Sequence, residues 1–203
     1  VVTQVLVDKD DPSFKNPSKP IGSFMEKEEA DKRKKEDDWD VVEDAGRGWR
    51  RVVASPLPQR IMEFPVIESL VNNGFIVAAV GGGGIPVIEN DEGDLVGTAA
   101  VIDKDFASSL LARQLKADVF IISTAVEKIC INFGKPDQKG LDKITVAEAK
   151  KYIAEGHFKP GSMLPKVKAV IQFLEDGGKH AVVTDPEHLA EAMAGKTGTH
   201  LYP

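Results

Sequence analysis

The sequence predicts an α/β protein: an open, mostly parallel sheet sandwiched between helices, with a small protruding lid insertion. Three observations carry this. From Ser55 onward, short apolar β-prone runs alternate with segments of helical periodicity. The continuous apolar run Phe75 to Val80 leads straight into four consecutive glycines, Gly81 to Gly84, as expected where a strand covered on both faces ends in a loop. Residues 9 to 50, by contrast, are charged, proline-rich and too poor in apolar side chains to pack a core of their own.

In chain order, Val1 to Val7 reads as the end of a strand, and Asp8 to Gly22 as a surface excursion. Glu26 to Asp38 reads as an exposed helix, because Glu28 precedes Lys32, Glu29 precedes Arg33 and Asp31 precedes Lys35 by four residues. Each such pair supports a helix by roughly 0.2–0.5 kcal/mol. Trp39 to Val42 and Trp49 to Val53 flank the turn signal Asp44-Ala45-Gly46-Arg47-Gly48 and predict a hairpin. Pro65 opens a short helix with Val66, Ile67, Leu70 and Val71 on one side and Gly74 after its end. After the Phe75 to Val80 strand, Val87 to Glu89 and Leu95 to Ala99 form a second hairpin around Asp91-Glu92-Gly93-Asp94. A helix over Asp105 to Lys116 and a buried strand over Val119 to Ser123 follow. Thr145 and Glu148 form a capping box for a helix ending near Gly156. Val167, Val170, Ile171 and Leu174, at i, i+3, i+4 and i+7, mark an amphipathic helix ended by Gly177-Gly178. Ala181 to Val183 is then a strand and Pro186 to Ala194 a last short helix.

Composition narrows the function. A chain of 203 residues, 42% apolar, can fill one large or two small cores. A net charge of −6 argues against a protein that coats nucleic acid. Cys130 alone supplies no disulfide framework and fits a reducing, cytoplasmic setting; between Ile129 and Ile131 it reads as a buried, inert thiol. No run is long and apolar enough for a membrane span. His157, His180, His188 and His200 show no metal-ligand spacing, so no metal site is expected in the chain itself.

Two stretches look built to hold an anion. Gly81 to Gly84 can turn backbone N–H groups onto oxygens, although the dinucleotide pattern fails because Pro86 occupies the third glycine position. In Lys159 to Lys166, Gly161 makes a turn, Ser162 is placed to cap a helix starting at Met163, and Lys166 lies in that helix's first turn. A cation there opposes the helix dipole unless a phosphate sits nearby. Between them Lys104 stands between Asp103 and Asp105 after the apolar run Ala99 to Ile102, at a strand-to-helix junction. Gly195-Lys196-Thr197 is not a phosphate loop, because Ala190 stands where the first glycine is needed and a strand-like segment follows. Arg50 and Arg51, adjacent on a strand, must point to opposite faces, one toward a partner and one toward solvent.

The order of these motifs resembles carbamate kinase, a branch of the amino-acid kinase superfamily. Further matches are Asp10-Asp11-Pro12, Asn16-Pro17, Lys19-Pro20-Ile21-Gly22, Gly48 to Val53, Ile131 to Pro136 and Gly195 to Thr199. The resemblance covers nearly the whole chain and implies that the chain lacks roughly the first third of a member, including a first glycine-rich loop. It divides the chain into the end of a first-lobe sheet (1–8), the lid (9–50) and a nucleotide-binding α/β lobe (51–203). Leu164 departs from the family, which usually has glycine there.

The resemblance also implies the chemistry, a reversible phosphoryl transfer between ATP and carbamate giving ADP and carbamoyl phosphate. It implies Mg²⁺ with the nucleotide, a homodimer, and work toward ATP in arginine fermentation. Lys104, Lys166 and Asp105 would be catalytic, with Asp105 orienting the lysines. Lys19 and Gly81, Gly82, Gly83 and Gly84 would bind the acceptor. Asp103, Thr124, Asn132, Phe133, Gly161, Ser162 and Met163 would bind the nucleotide. Another amino-acid kinase acting on acetylglutamate or uridylate, or a nucleotide-binding fragment without turnover, stays open at this level.

Overall fold

The computed structural model describes residues 1–44 and 46–203; Ala45, within the expected lid turn, lies outside the described residues. Packing divides the chain into two units, Val1–Ala107 and Ser108–Pro203. The sequence reading instead places its boundaries after residues 8 and 50.

The first unit grows from alternating side chains. Strand β1 (Gln4–Val7) turns Val5 and Val7 into the core, at 0% and 2% exposure. Its excursion leads to β2 (Lys19–Met25), helix α1 (Lys27–Glu36), β3 (Val41–Glu43) and β4 (Trp49–Val53), which make a three-stranded antiparallel sheet in the order β2-β4-β3. The expected hairpin is thus the pair β3–β4, and the first part of the lid adds a strand that the sequence reading treats as irregular. Of α1 only Ala30 is buried; its exterior carries Arg33 bridged to Glu29 and Asp37, as a solvated face should. Strand β5 (Pro58–Ile61) then pairs with β1 from the edge, where a proline costs no ladder bond. Helix α2 (Phe64–Asn72) follows, with Ile67 buried but Val66 and Val71 exposed. Strands β6 (Ile85–Glu89) and β7 (Leu95–Gly97) complete a four-stranded sheet in the order β5-β1-β6-β7. Helix α3 (Lys104–Gln114) carries the division between the units within it.

Two expected strands are absent. Phe75 to Val80 is irregular, with Phe75 and Ile76 exposed; an apolar run becomes a strand only where another backbone ladders to it. This segment makes single links instead, from the Val1 amine to the Ala78 carbonyl and from the Val80 N–H to Thr3 Oγ1. Ala99 to Ile102 likewise keeps one parallel bridge, Ala54 to Ala100.

The second unit opens with β8 (Phe120–Ser123), followed by a small pair, β9 (Cys130–Ile131) and β10 (Lys139–Gly140), that the sequence reading does not anticipate. Then come β11 (Lys143–Thr145), α4 (Val146–Ala154), α5 (Met163–Glu175), β12 (Ala181–Thr184), α6 (Leu189–Met193) and β13 (Thr199–Tyr202). The sheet order is β11-β13-β12-β8. The Thr145–Glu148 capping box forms in full. Helix α5 buries Val167, Val170, Ile171 and Leu174 as its spacing requires, and Phe173 meets Phe120 with ring centres 5.4 Å apart. Each such side chain taken from water stabilises the unit by about 1.5–3 kcal/mol. Cys130 is half-buried rather than buried, because β9 lies in this small outer pair and not in the main sheet.

The α/β class holds, with sheets flanked by helices, but pairing is mixed rather than mostly parallel. β1–β6, β8–β12 and β11–β13 run parallel. β6–β7 cannot, since the short Asn90–Asp94 turn joins them, and β12–β13 is antiparallel too.

At this sheet's end, His180 Nε2 lies 2.9 Å from His200 Nδ1, and the His180 ring runs nearly parallel to those of His200 and Tyr202, with ring centres 5.1 and 4.8 Å away. His200 Nε2 also lies 2.9 Å from the Thr197 carbonyl, so Nε2 carries the proton and Nδ1 accepts from His180. Burial, then the neighbouring His200 ring, holds His180 below its ordinary value of 6.5. The native state therefore binds this proton less readily than the unfolded chain, and stability falls as pH drops through and below about 6.5. Urea midpoints of the wild type should fall between pH 7.5 and 5.5 by more than those of His180→Asn; equal slopes would remove His180 as a source.

Candidate functional site

In the first unit the glycine loop divides into two kinds of position. Val80, at φ 47°, turns the chain left-handed into a single 3₁₀ turn over Gly81–Gly83. A Cβ on Gly83 would lie 2.2 Å from the Ile102 carbonyl oxygen, and one on Gly84 would lie 2.4 Å from Val5 Cγ2. Both also have positive φ, so close packing and backbone conformation alike demand glycine. Gly81 and Gly82 are exposed, and a methyl group on either would have nothing within 4 Å. Packing therefore explains two of the four glycines, and the open pair is the part able to meet a ligand.

Because Gly83 rests on Ile102, the loop lies against the junction that begins α3. Asp103 precedes the helix and accepts the Asp105 N–H through Oδ1 at 2.9 Å, as an N-cap does. Its Oδ2 meets Lys19 Nζ at 2.5 Å. Burial pushes the Asp103 carboxyl up, but Lys19, the Asp105 N–H and nearby Lys104 outweigh it and hold the group below its ordinary value. Lys104 is the first residue of α3 and is exposed, while Asp105 is buried at 7% exposure. The first unit thus brings Lys19 and Asp103 together, a pairing that the sequence reading does not make: it assigns one to the acceptor and the other to the nucleotide.

The lid's arginines are also settled. Arg50 lies over Phe24 and bonds the Gly22 carbonyl and Asp44, while Arg51 lies over Trp39. They do take opposite faces, yet both rest on aromatic rings, so neither is simply turned to solvent.

In the second unit Thr124 follows β8 and donates its N–H to the Thr184 carbonyl at the end of β12. Asn132 follows β9 at φ 53°, with its side chain on Asp137, and Phe133 beside it is exposed. Gly161 turns at φ 73° and Ser162 takes the cap position of α5, but its side chain makes no capping bond, contrary to its expected role there. Lys166 sits half-buried in the first turn, which contains no acidic residue. The Gly195-Lys196-Thr197 segment precedes a strand, β13, and Thr197 donates to Glu127.

The profile of the amino acid kinase family matches residues 34–185, three quarters of the chain. The chain belongs to the amino acid kinase family. It is 57% identical over 201 residues to a carbamate kinase of Thermococcus kodakarensis, covering 99% of this chain and 64% of that one. It is 55% identical over 202 residues to the carbamate kinase-like protein YahI of Escherichia coli, again with 99% and 64% coverage. A solved carbamate kinase from Giardia lamblia bound to AMP-PNP superposes with a TM-score of 0.88 at 43% identity, covering all of this chain and 64% of that one. The chain thus spans about 64% of the length of the relatives it matches.

The sequence reading misses one cluster. Asp185, just past β12, holds both the N–H and Nδ1 of His188, and Glu127 lies near enough to help raise the His188 pKa after Asp185 itself. The cluster gathers at the carboxyl ends of β8 and β12, where open α/β sheets place ligands. The usable signal is the Thr184-Asp185 step out of a fully buried strand.

The split among the glycines is testable. Gly83→Ala should lower unfolding free energy by at least about 2 kcal/mol, since it combines overpacking with left-handed strain. Gly81→Ala should stay within about 0.5 kcal/mol of wild type. Denaturant titration of both variants checks this, and similar losses would mean that the whole loop is merely packed.

Proposed function

We propose that the protein containing this chain is a carbamate kinase, interconverting ATP and carbamate with ADP and carbamoyl phosphate. The observation that carries the reading is the match to carbamate kinases over 99% of the chain, lid segment included. The lid matters because Lys19 and the Arg50-Arg51 strand are the features that favour carbamate over other acceptors.

In the forward direction a carbamate oxygen attacks the γ-phosphorus of ATP, the bond from that phosphorus to the bridging oxygen breaks, and ADP leaves with that oxygen. Carbamate is already an anion, so no base has to take a proton. What the transfer needs is positioning and positive charge around the moving group. On this reading the first unit supplies acceptor-end groups: the open N–H groups of Gly81 and Gly82, Lys19, and the exposed Lys104. The second unit supplies nucleotide-end groups: Thr124, Asn132, Phe133, the Gly161–Met163 turn and Lys166. Asp105 orients the lysines.

Mg²⁺ would arrive with the nucleotide and neutralise phosphate charge, held largely by phosphate oxygens as is usual for this ion. Among the described residues no group of three His, Cys, Asp or Glu side chains could hold a metal on its own. The reading extends to a cytoplasmic homodimer that works toward ATP in arginine breakdown. Among the described residues no helix is long and apolar enough to cross a membrane.

The test is ATP formation from carbamoyl phosphate and MgADP by the full-length protein, with acetyl phosphate and acetylglutamyl phosphate as competitors. Carbamoyl phosphate should be the preferred donor. Lys104→Ala and Lys166→Ala should each lower kcat by about 10²–10³-fold, with a smaller change in nucleotide affinity. Preference for another donor, or a Lys104→Ala enzyme with most of its turnover, contradicts the reading.

A further inference from the structure

We propose that Asp103 is the positioning residue for Lys19, holding the lid's lysine at the acceptor end and not contacting the nucleotide. The inference rests on the carbamate kinase reading for the identity of the acceptor, but the ion pair itself does not.

Lys19 and Asp103 stand 84 residues apart, one in a strand of the lid sheet and the other just before α3. Lys19 opens β2, where it pairs with Val53 of β4, so its backbone is fixed by the lid sheet. Asp103 stands at the N-terminus of α3, on the junction that Gly83 packs against. The Nζ–Oδ2 contact of 2.5 Å therefore ties the lid to the α3 junction, on which the glycine loop rests, through one pair of charges.

The carboxylate is well placed for this. Oδ1 is fixed by the Asp105 N–H, which leaves Oδ2 aimed at the lysine. The side chains of Asp103 and Lys19 are only 11% and 28% exposed, so the pair is partly withdrawn from water and screened less than a surface pair. An ammonium has three N–H donors. Lys19 can thus keep one on Asp103 and turn the others to a phosphoryl oxygen, so ligand capture does not require the pair to break. Without Asp103 the same flexible four-carbon stem would sample many positions, and the loss would fall on acceptor capture.

Asp103→Asn is the decisive variant, because asparagine caps a helix as well as aspartate but lacks the charge that holds Lys19. Steady-state kinetics of the full-length protein, with both substrates varied, should show the KM for carbamoyl phosphate rising about tenfold or more, the scale expected for losing a charged hydrogen bond. The KM for ADP should stay within about twofold of wild type, and Asp103→Glu should recover part of the loss. Adding Asp103→Asn to Lys19→Ala should cost nothing further, since the two act as one unit. Additive losses, or an equal rise in the KM for ADP, would overturn the proposal. A second readout needs no turnover: acetic anhydride labelling of Lys19, followed by mass spectrometry, should speed up several-fold in Asp103→Asn and leave Lys179 unchanged. Unaltered Lys19 labelling would overturn the pair itself. Faster labelling in a protein that does not use carbamoyl phosphate would instead mark failure of the carbamate kinase reading alone.

Discussion

The first unit depends on one close approach, the Gly83 backbone against the carbonyl of Ile102. A side chain at that glycine would stand 2.2 Å from the Ile102 oxygen, so the loop and the α3 junction meet only because the methyl group is missing. From that contact the other features follow. Gly84 closes onto Val5 of β1, which fixes the loop to the sheet, and Gly81 and Gly82 are left facing outward. Asp103, one residue past Ile102, begins α3 and takes hold of Lys19. A backbone contact thus sets where the charges stand.

The second unit is organised differently, by burial along α5 and β12. Val167, Val170, Phe173 and Leu174 face inward, and all four residues of β12 are buried. This leaves polar groups for the strand ends, where Thr124, Asp185 and His188 collect. A rigid sheet with its chemistry in the loops past its strands is the usual economy of α/β folds.

Much of this was legible in the residues. The α5 stripe, the Thr145–Glu148 box and the charged α1 are local patterns, and local patterns survive into the fold because no distant partner is needed to complete them. Phe75 to Val80 misleads for the opposite reason. Apolar content states a tendency, but a strand exists only where another backbone ladders to it, and sequence does not announce the neighbour. The same limit hid the Lys19–Asp103 pair, whose partners are 84 residues apart. Four glycines in a row signalled a loop, but their division into two packed and two open positions required Ile102 and Val5 to be seen beside them. Ser162 shows a subtler gap: its cap position could be read, yet its side chain makes no cap bond.

The central claim is that the open half of the glycine loop faces the phosphoryl anion, with the α3 junction beside it. A crystal structure of the full-length protein with MgADP and orthovanadate, a phosphate mimic, tests this most directly. The account places vanadate against the N–H groups of Gly81 and Gly82, within ion-pair reach of Lys104. Vanadate ordered elsewhere, with Gly81 and Gly82 still facing solvent, would contradict it.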